Sequence, residues 1–335
     1  MSGASDKIRA RTAVLLVMGA VASIALAVGS YWVQRSITGE KTLSGKVLPD
    51  FAADMPQVRT ITFTRNRGTY NLVRKGPNWV MPERGDYAVS PQALAGLAKA
   101  LSDMSYKAER TSDPAQFARL GVDDPGTDSD GVLMSLKGGS NQILGSLYIG
   151  KKADATFVRK AGTNQVFEVV GTVPELNSPP FWLDLKVLDI TPETIASVSG
   201  QRTREPRYDI VRRPDGGFAP LGGSANVTAT TAAIALTKWA PLDVMPASQL
   251  SRDPIASHAT NMRNGMIITA TAYREEGRNW VVLSASATSD APNDEVAKLN
   301  QRTDGWAFEL NATDFADLTF TANAILTGPN IDAPQ

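Results

Sequence analysis

The chain has 335 residues, carries 34 lysine and arginine residues against 34 aspartate and glutamate residues, and contains no cysteine. The lack of cysteine excludes disulfide bonds, cysteine nucleophiles and metal sites built on thiolates. The balanced charge gives no electrostatic footprint for nucleic acid, and we therefore predict that the chain does not bind it.

Residues 12–33 form an uncharged and mostly apolar segment near the start of the chain. As a helix this segment is about 33 Å long, enough to cross a hydrocarbon core of about 30 Å. Tyr31 and Trp32 lie where an interfacial aromatic anchor is expected, and basic residues predominate on the N-terminal side. We predict that residues 1–35 form a cytoplasmic tip and one transmembrane helix, embedded in the lipid bilayer through residues 12–33.

The rest of the chain is then exported. A large cysteine-free region is typical of bacterial periplasmic proteins, whose cores need no disulfide bonds. The predicted location is the bacterial inner membrane, with one crossing, a cytoplasmic N-terminus and a periplasmic ectodomain. An alternative is a signal peptide cleaved after Ala27, because Ala25-Leu26-Ala27 fits the small-residue cleavage rule.

The ectodomain contains two stretches of similar sequence about 138 residues apart, as expected for tandem copies of one structural unit. Residues 70–75 read Tyr-Asn-Leu-Val-Arg-Lys, and residues 208–213 read Tyr-Asp-Ile-Val-Arg-Arg. Asp113-Pro114 matches Asp253-Pro254 in the same order along the chain, and Phe167-Glu168 matches Phe308-Glu309. We predict a tether over residues 36–56 and two tandem modules at residues 57–190 and 191–328.

The first module is predicted to begin with three antiparallel strands, because apolar and polar residues alternate around Ile61, Tyr70 and Trp79. A helix follows, with Ser90 as N-cap, Pro91 in the first turn, and a buried stripe. The stripe consists of Leu94, Leu97 and Leu101. A second short helix is predicted between Asp113-Pro114 and Gly121. Four more strands are predicted at residues 132–136, 143–149, 156–159 and 165–169.

The second module is predicted to repeat this order. The predicted strands are residues 195–198, 208–212, 218, 266–273, 280–285, 298–301 and 307–310. A helix is predicted over residues 228–239, and a short helix after Asp253-Pro254. The predicted fold class is α+β: two tandem copies of a mostly antiparallel β-meander plus helices, preceded by one transmembrane helix.

Three groups of residues have the side chains of possible sites, and we predict that all three are structural. The acidic stretch Asp123–Gly131 lacks two of the ligands that a calcium loop requires, since Gly126 and Lys137 occupy those positions. His258 is the only histidine, its counterpart in the first module is Ala118, and we predict that it lies on the surface of the short helix. Lys151-Lys152 lacks the frame of a phosphate loop.

Paired acids are typical of glycoside hydrolases, but Glu168 and Glu309 belong to separate modules, where strand alternation predicts that both point outward. Five ectodomain tryptophans, at positions 79, 182, 239, 280 and 306, are mainly expected in cores. The sequence therefore predicts no catalytic, cofactor-binding or metal-binding residues and no cofactor.

The order of these motifs resembles a bacterial family described as domain of unknown function 4340. The resemblance rests on the apolar N-terminal segment, the strand with Tyr70, and Trp79, followed by three motifs. These motifs are Leu120-Gly121-Val122-Asp123-Asp124-Pro125, Leu147-Tyr148-Ile149-Gly150-Lys151, and Phe157-Val158-Arg159 with Val166-Phe167-Glu168-Val169. It extends over roughly residues 57–220. It implies an envelope protein found alongside gliding-motility-type ABC export systems, without known catalysis.

The function predicted from these observations is that of a non-catalytic, membrane-anchored periplasmic accessory or scaffold protein. Its expected partners are membrane proteins, in particular subunits of an ABC-type transporter. One alternative is a module that binds polysaccharide or peptidoglycan through exposed aromatic side chains. Another is an envelope hydrolase with an unfamiliar Ser/Lys or carboxylate site.

Overall fold

The computed structural model describes residues 45–126, 130–288, 293–329 and 331. Within these ranges, no helix has the length and apolar character needed to cross a bilayer. The segment 12–33, predicted to be transmembrane, lies outside the described residues.

The first sheet contains nine of the described strands, and every neighbouring pair in it is antiparallel. Its order is β4-β3-β2-β1-β6-β7-β8-β9-β5. The strands are β1 (Thr60–Arg65), β2 (Gly68–Lys75), β3 (Asn78–Met81), β4 (Tyr87–Ala88), β5 (Ser105–Thr111), β6 (Val132–Lys137), β7 (Ile143–Lys152), β8 (Ala155–Lys160) and β9 (Val166–Val170).

The second sheet contains eight of the described strands, again all antiparallel, in the order β12-β11-β10-β14-β15-β16-β17-β13. The strands are β10 (Ile195–Arg202), β11 (Tyr208–Arg212), β12 (Phe218–Pro220), β13 (Asp243–Pro246), β14 (Ala256–Met262), β15 (Met266–Glu275), β16 (Arg278–Ala287) and β17 (Trp306–Leu310). Apart from β4, both sheets have the same strand order when strands are counted from the start of each sheet. The predicted α+β class with mostly antiparallel sheets is confirmed.

Seven short or medium α-helices lie among the described residues, with several 3₁₀ turns between them. They are α1 (Phe51–Asp54), α2 (Pro91–Asp103), α3 (Phe117–Leu120), α4 (Val227–Ala233), α5 (Asn293–Thr303), α6 (Ala312–Leu318) and α7 (Ala322–Thr327). Ser90 caps α2 by accepting a hydrogen bond from the Ala93 N–H, as predicted, and Leu94, Leu97 and Leu101 are buried. Asp113 likewise caps the 3₁₀ turn before α3, and Gly121 ends α3 in the left-handed region.

Two predicted elements of the second half are wrong. The segment after Asp253-Pro254 is strand β14, not a helix. Every second residue of it is buried, namely Ala256, His258, Thr260 and Met262. Small and polar residues on the buried side conceal the period of two. Residues 298–301 belong to helix α5, not to a strand, and α5 buries Leu299 and Thr303.

Residues 45–58 pack onto the first sheet. The Val47 N–H donates to the Met104 carbonyl at 3.1 Å, and the Tyr106 N–H donates to the Gly45 carbonyl at 3.0 Å. Val47 and Val58 are fully buried, and Phe51 is nearly so. The segment is therefore tied to the start of β5.

The two sheets share one continuous apolar core, and aromatic rings connect them. Tyr87 of β4 contacts Trp306 of β17 edge to face, with ring centroids 4.9 Å apart, and also Phe308 at 6.1 Å. The indole N–H of Trp239 donates to the Leu185 carbonyl in the connection between the sheets. The edge formed by β4 therefore lies against the β17–β13 edge of the second sheet.

Candidate functional site

A charged cleft of about 300 Å³ lies where the two sheets meet. The first sheet contributes the 3₁₀ turn Pro82–Arg84, and the second contributes β13 and the hairpin between β15 and β16. Gly85 ends the turn at φ 66°, and a Cβ atom there would lie 2.5 Å from the Pro246 ring. Only glycine fits both this backbone conformation and this close approach.

Asp243 is the central carboxylate of the cleft. The Arg84 Nε donates to its Oδ1 at 2.7 Å, and the Arg84 Nη2 donates to its Oδ2 at 2.8 Å. The Val244 N–H also donates to Oδ1 at 2.8 Å. The Asp243 side chain is only 9% exposed, so these bonds replace the water that the charge lost on burial. This ion pair connects the two sheets directly.

Arg278 forms the second ion pair of the cleft. Its Nε and Nη2 donate to the two carboxylate oxygens of Glu309, and its Nη2 lies 3.6 Å from Asp243 Oδ2. The guanidinium also lies over the Trp280 ring, 4.6 Å from the centroid. The hydrogen bonds that Arg278 donates to Glu309 raise the pKa of Arg278 above its usual range.

The chemistry open to this cleft is limited by these contacts. Asp243 and Glu309 are opposite each other in the β13–β17 register, which gives the carboxylate pair that a hydrolase would need. However, guanidinium groups occupy both oxygens of each carboxylate. A general acid must instead present a protonated oxygen to the leaving group. The geometry is that of a joint between two sheets.

A second cluster collects the motifs that carry the family resemblance around Arg159 of β8. The Arg159 Nε donates to the Val122 carbonyl at 3.0 Å, and its Nη2 donates to Asp124 Oδ1 at 2.9 Å. Its guanidinium stacks on Tyr148 at 3.8 Å and on Phe117 at 4.5 Å. Burial, together with the hydrogen bond to Asp124, raises the pKa of Tyr148, and the bond from Arg159 lowers that of Asp124.

Gly150 lies beside this cluster, where β7 crosses the end of α3. A Cβ atom at Gly150 would lie 2.1 Å from the carbonyl oxygen of Leu120 and 2.5 Å from that of Gly121. Gly121 itself has φ 67°. Gly150 is therefore required by the close approach of the backbone at the end of α3, and Gly121 is favoured by its positive φ. These two constraints are a structural reason for the sequences Leu120-Gly121 and Gly150-Lys151.

Glu168 differs from its predicted position. It is only 6% exposed and does not point into solvent. Lys107 and Arg110 of β5 both donate to its carboxylate, and these bonds lower its pKa. Glu168 and Glu309 lie on different sheets with different cationic partners, so the structure does not join them in one site.

His258 was predicted on a helix surface, and this is wrong. It lies on β14, fully buried, between Gly200 of β10 and Ala270 of β15 in register. Its Nε2 is 3.3 Å from Thr260 Oγ1, and its Nδ1 has no hydrogen-bond partner. Burial lowers its pKa to about 4. Because β14 is a strand, Ala118 of α3 is not its counterpart.

The acidic stretch is described only in part, since residues 127–129, including Asp128, lie outside the described residues. Arg159 engages Asp124, and Lys152 donates to Asp130 at 2.7 Å. Lys151 lines a separate polar pocket with Glu175. Within the described ranges, no three histidine, aspartate or glutamate side chains are grouped as they would be around a metal ion.

The five tryptophans within the described ranges pack inside the protein. Trp182 and Trp280 are buried, while Trp79, Trp239 and Trp306 are half-buried against the core. The Trp182 indole N–H donates to the Tyr70 hydroxyl at 2.9 Å.

The residues that sequence reasoning missed are the arginines that organise both clusters. Arg84 and Asp243 are 159 positions apart, and no local pattern relates them. Arg159 offered a signal, because an arginine within an apolar strand predicts a buried and fully paired cation.

The fold and these clusters define an α+β protein with two mostly antiparallel sheets joined by ion pairs and aromatic contacts. The family model for a domain of unknown function (DUF4340) matches residues 79–248, just over half of the chain, and the chain therefore belongs to this family. No curated protein and no solved structure matches the chain. The matched region starts in β3 and ends just after β13, so it includes Arg84 and Asp243 on both sides of the joint.

The role of the motif glycines can be tested with Gly150→Ala. We expect a loss of about 1–3 kcal/mol in the free energy of unfolding, because the methyl group would overlap a backbone carbonyl that cannot easily move. Gly139→Ala is the matched control, since a Cβ atom there meets open space, and it should change stability by under about 0.5 kcal/mol. Urea unfolding measures both values. Equal stability of the two variants would contradict the assigned packing.

Proposed function

We propose that this protein is a non-catalytic, membrane-anchored accessory or scaffold protein on the periplasmic side of the bacterial inner membrane. We further propose that it serves an ABC-type transport system of the gliding-motility type. Two observations support this proposal. Segment 12–33 is uncharged and mostly apolar, and the family that the chain resembles occurs alongside transport systems of this type. The observation that carries the docking part of the proposal is an apolar groove in the first sheet.

This groove has a volume of about 530 Å³ and lies between residues 47–54 and β7. Leu48, Phe51 and Leu144 line it, and Ile143 at its side is 65% exposed. Exposed apolar surface beside a concavity is typical of a protein-binding site. Because each residue spans at most about 3.5 Å, the groove lies within about 50 Å of the end of segment 12–33 along the chain.

The occupant we propose is an apolar segment of a membrane-protein partner, specifically a transporter subunit. Val47, at one side of the groove, follows the end of segment 12–33 by only 14 positions, so a bilayer-embedded partner is within reach. Its apolar lining suits aliphatic side chains, and the flanking Asp50, Asp54 and Lys160 could pair with polar groups at the rim.

The proposal that the protein is non-catalytic draws support from how its ionisable groups are used. The cleft carboxylates are held by arginines, and the single histidine is buried in the second sheet. The alternative of a sugar-binding surface would be favoured by exposed tryptophans in a groove. Trp182 and Trp280 are instead buried, and Trp79, Trp239 and Trp306 are partly buried against the core.

We also infer that the two sheets arose by duplication of one module. The shared strand order supports this, as does the register. Phe63 is opposite Tyr70 in the first sheet, and Gly200 is opposite Tyr208 in the second. In an experimental structure, superposing residues 57–176 on 194–318 is expected to bring Tyr70 onto Tyr208 and Phe167 onto Phe308. Unrelated chain paths in the two regions would contradict the inference.

Anchoring can be tested by fractionation. Full-length protein is expected to stay in the membrane pellet after alkaline carbonate extraction, because an apolar helix partitions strongly into lipid. A chain beginning at residue 36 behind a cleavable export signal should be released. If the mature natural chain begins at Val28 and is soluble, the anchor is refuted, although export is not.

Docking can be tested with Ile143→Asp, which places a charge at the side of the groove. We expect at least about a tenfold loss of the transporter subunit that co-purifies from membranes, because an unpaired charge would be desolvated on docking. Leu221→Asp is the matched control, since Leu221 is also 65% exposed but lies in the turn after β12 of the second sheet. Both variants should keep the melting temperature of the natural protein.

The docking proposal fails if the Ile143→Asp protein retains the subunit, or if Leu221→Asp reduces it equally. A photoreactive residue at position 143 gives a second readout. It is expected to crosslink to a transmembrane subunit identified by mass spectrometry, and crosslinks only to lipid or to a second copy of this chain would contradict the proposed occupant.

A further inference from the structure

His258 occupies the interior of the second sheet, where a charged side chain has no support. Residues opposite one another on neighbouring strands form a row that includes His258. The other members are Tyr208 of β11, Gly200 of β10, Ala270 of β15 and Leu283 of β16. All of these residues are buried. Among the described residues, the ring has one polar contact, with Thr260 at 3.3 Å, and Thr260 is itself fully buried.

A second unpartnered polar group lies in the same row. Within the part of the chain that the structure describes, neither the Tyr208 hydroxyl nor His258 Nδ1 has a hydrogen-bond partner. The hydroxyl lies above Gly200, where a Cβ atom would be 2.2 Å from it. The glycine thus provides the space into which Tyr208 extends, on the strand next to His258.

The equivalent positions of the first sheet are occupied by different residues. Phe63 stands opposite both Tyr70 and Met134, as Gly200 stands opposite Tyr208 and His258. The Tyr70 hydroxyl donates to the Leu176 carbonyl at 2.7 Å and accepts from Trp182. The core of the first sheet is apolar at these positions, and the Tyr70 hydroxyl has hydrogen-bond partners. Among the described residues, the second sheet instead has two polar atoms without such partners, together with an ionisable imidazole ring.

The charged groups on elements packed against β14 all have other partners. Arg202 of β10 lies 3.9 Å from Glu205, and Arg274 of β15 lies over the Phe315 ring. Glu275, at the end of β15, accepts hydrogen bonds from the N–H and the hydroxyl of Ser251. On α6, Asp314 is bonded by Asn311, and Asp317 pairs with Lys238 at 3.2 Å. None of these groups contributes to the pKa of His258, on which burial alone acts.

We propose that the Tyr208–Gly200–His258 row is an acid-sensitive element that opens the second sheet, while the first sheet stays folded, when the surrounding pH falls. A protonated imidazolium cannot remain among apolar side chains without a counter-ion. Protonation therefore requires β14 to separate from its neighbours. In the first sheet, Met134 occupies the position equivalent to His258 and cannot take up a proton, so this response begins in the second sheet.

The direction of the pH effect follows from the proton balance. The pKa of His258 is about 4 in the folded protein and 6.5 when exposed, so the unfolded state binds the proton more tightly between these values. The contribution of His258 to the free energy of unfolding is fully present above about pH 6.5 and is lost as the pH falls toward 4. The folding equilibrium constant should fall by about 150-fold from this group between about pH 7.5 and pH 4.

The single histidine makes the first test direct. In nuclear magnetic resonance spectra of the full-length protein in detergent micelles, one imidazole signal is expected. It should keep the chemical shift of a neutral ring down to about pH 5 while the protein remains folded. An ordinary titration near pH 6.5 in the folded protein would overturn the proposal without any variant.

The second test compares the natural protein with His258→Gln and His258→Met, the latter carrying the residue of the first sheet. Carboxylates titrate equally in all three, so the difference isolates His258. We expect both variants to lose about 150-fold less of the folding constant on acidification. Amide exchange, corrected for pH, should rise in residues 256–262 of the natural protein but not in residues 132–137.

If either variant fails to fold at neutral pH, the other and the exchange measurement on the natural protein still decide the matter. Equal acid sensitivity of the natural protein and a folded variant would overturn the proposal. So would simultaneous loss of protection in both segments. None of these readouts depends on the membrane partner, so a failed docking experiment leaves this test intact.

Discussion

The bond between Arg84 and Asp243 is the constraint on which the arrangement of the two sheets depends. It replaces the hydration of a carboxylate that the neighbouring strands have covered, and breaking one side would leave a buried charge without a partner. The contact of Tyr87 with Trp306 and the close approach of Gly85 to Pro246 surround the same joint. The apolar core also continues through this joint, so packing and the ion pair together hold the two sheets against each other.

The sequence predicted most of the first sheet and helix α2, because the alternation in its strands and the Ser90-Pro91 start are strong local signals. It failed where the inward residues are small or polar, as in β14, and where a helix of low apolar content such as α5 buries only Leu299 and Thr303. Because β14 was predicted as a helix, the burial of His258 on this strand was not predicted either. The pairing of Arg84 with Asp243 depends on how the two sheets meet, which no periodicity encodes.

The motifs by which the family is recognised meet at Arg159, where a strand arginine holds the turn after α3 through a carbonyl, a carboxylate and two rings. Val122, Asp124, Tyr148 and Gly150 each have a packing or hydrogen-bonding role in this cluster. A resemblance carried by such residues therefore predicts a fold well and a chemical activity poorly. Differences in function among proteins built this way are to be sought on surfaces such as the groove beside Ile143.

Large antiparallel sheets with open edges are prone to join one another, and this protein limits that risk at each edge. Strand β4 has only two residues, and β12 ends at Pro220, which cannot donate a ladder hydrogen bond. Strand β13 is covered by the turn that carries Arg84. Strand β5 is longer, but it has two register shifts, carries Lys107, Glu109 and Arg110, and is paired at its start with Lys46. The molecule can thus display extended β-structure while remaining resistant to aggregation through its strand edges.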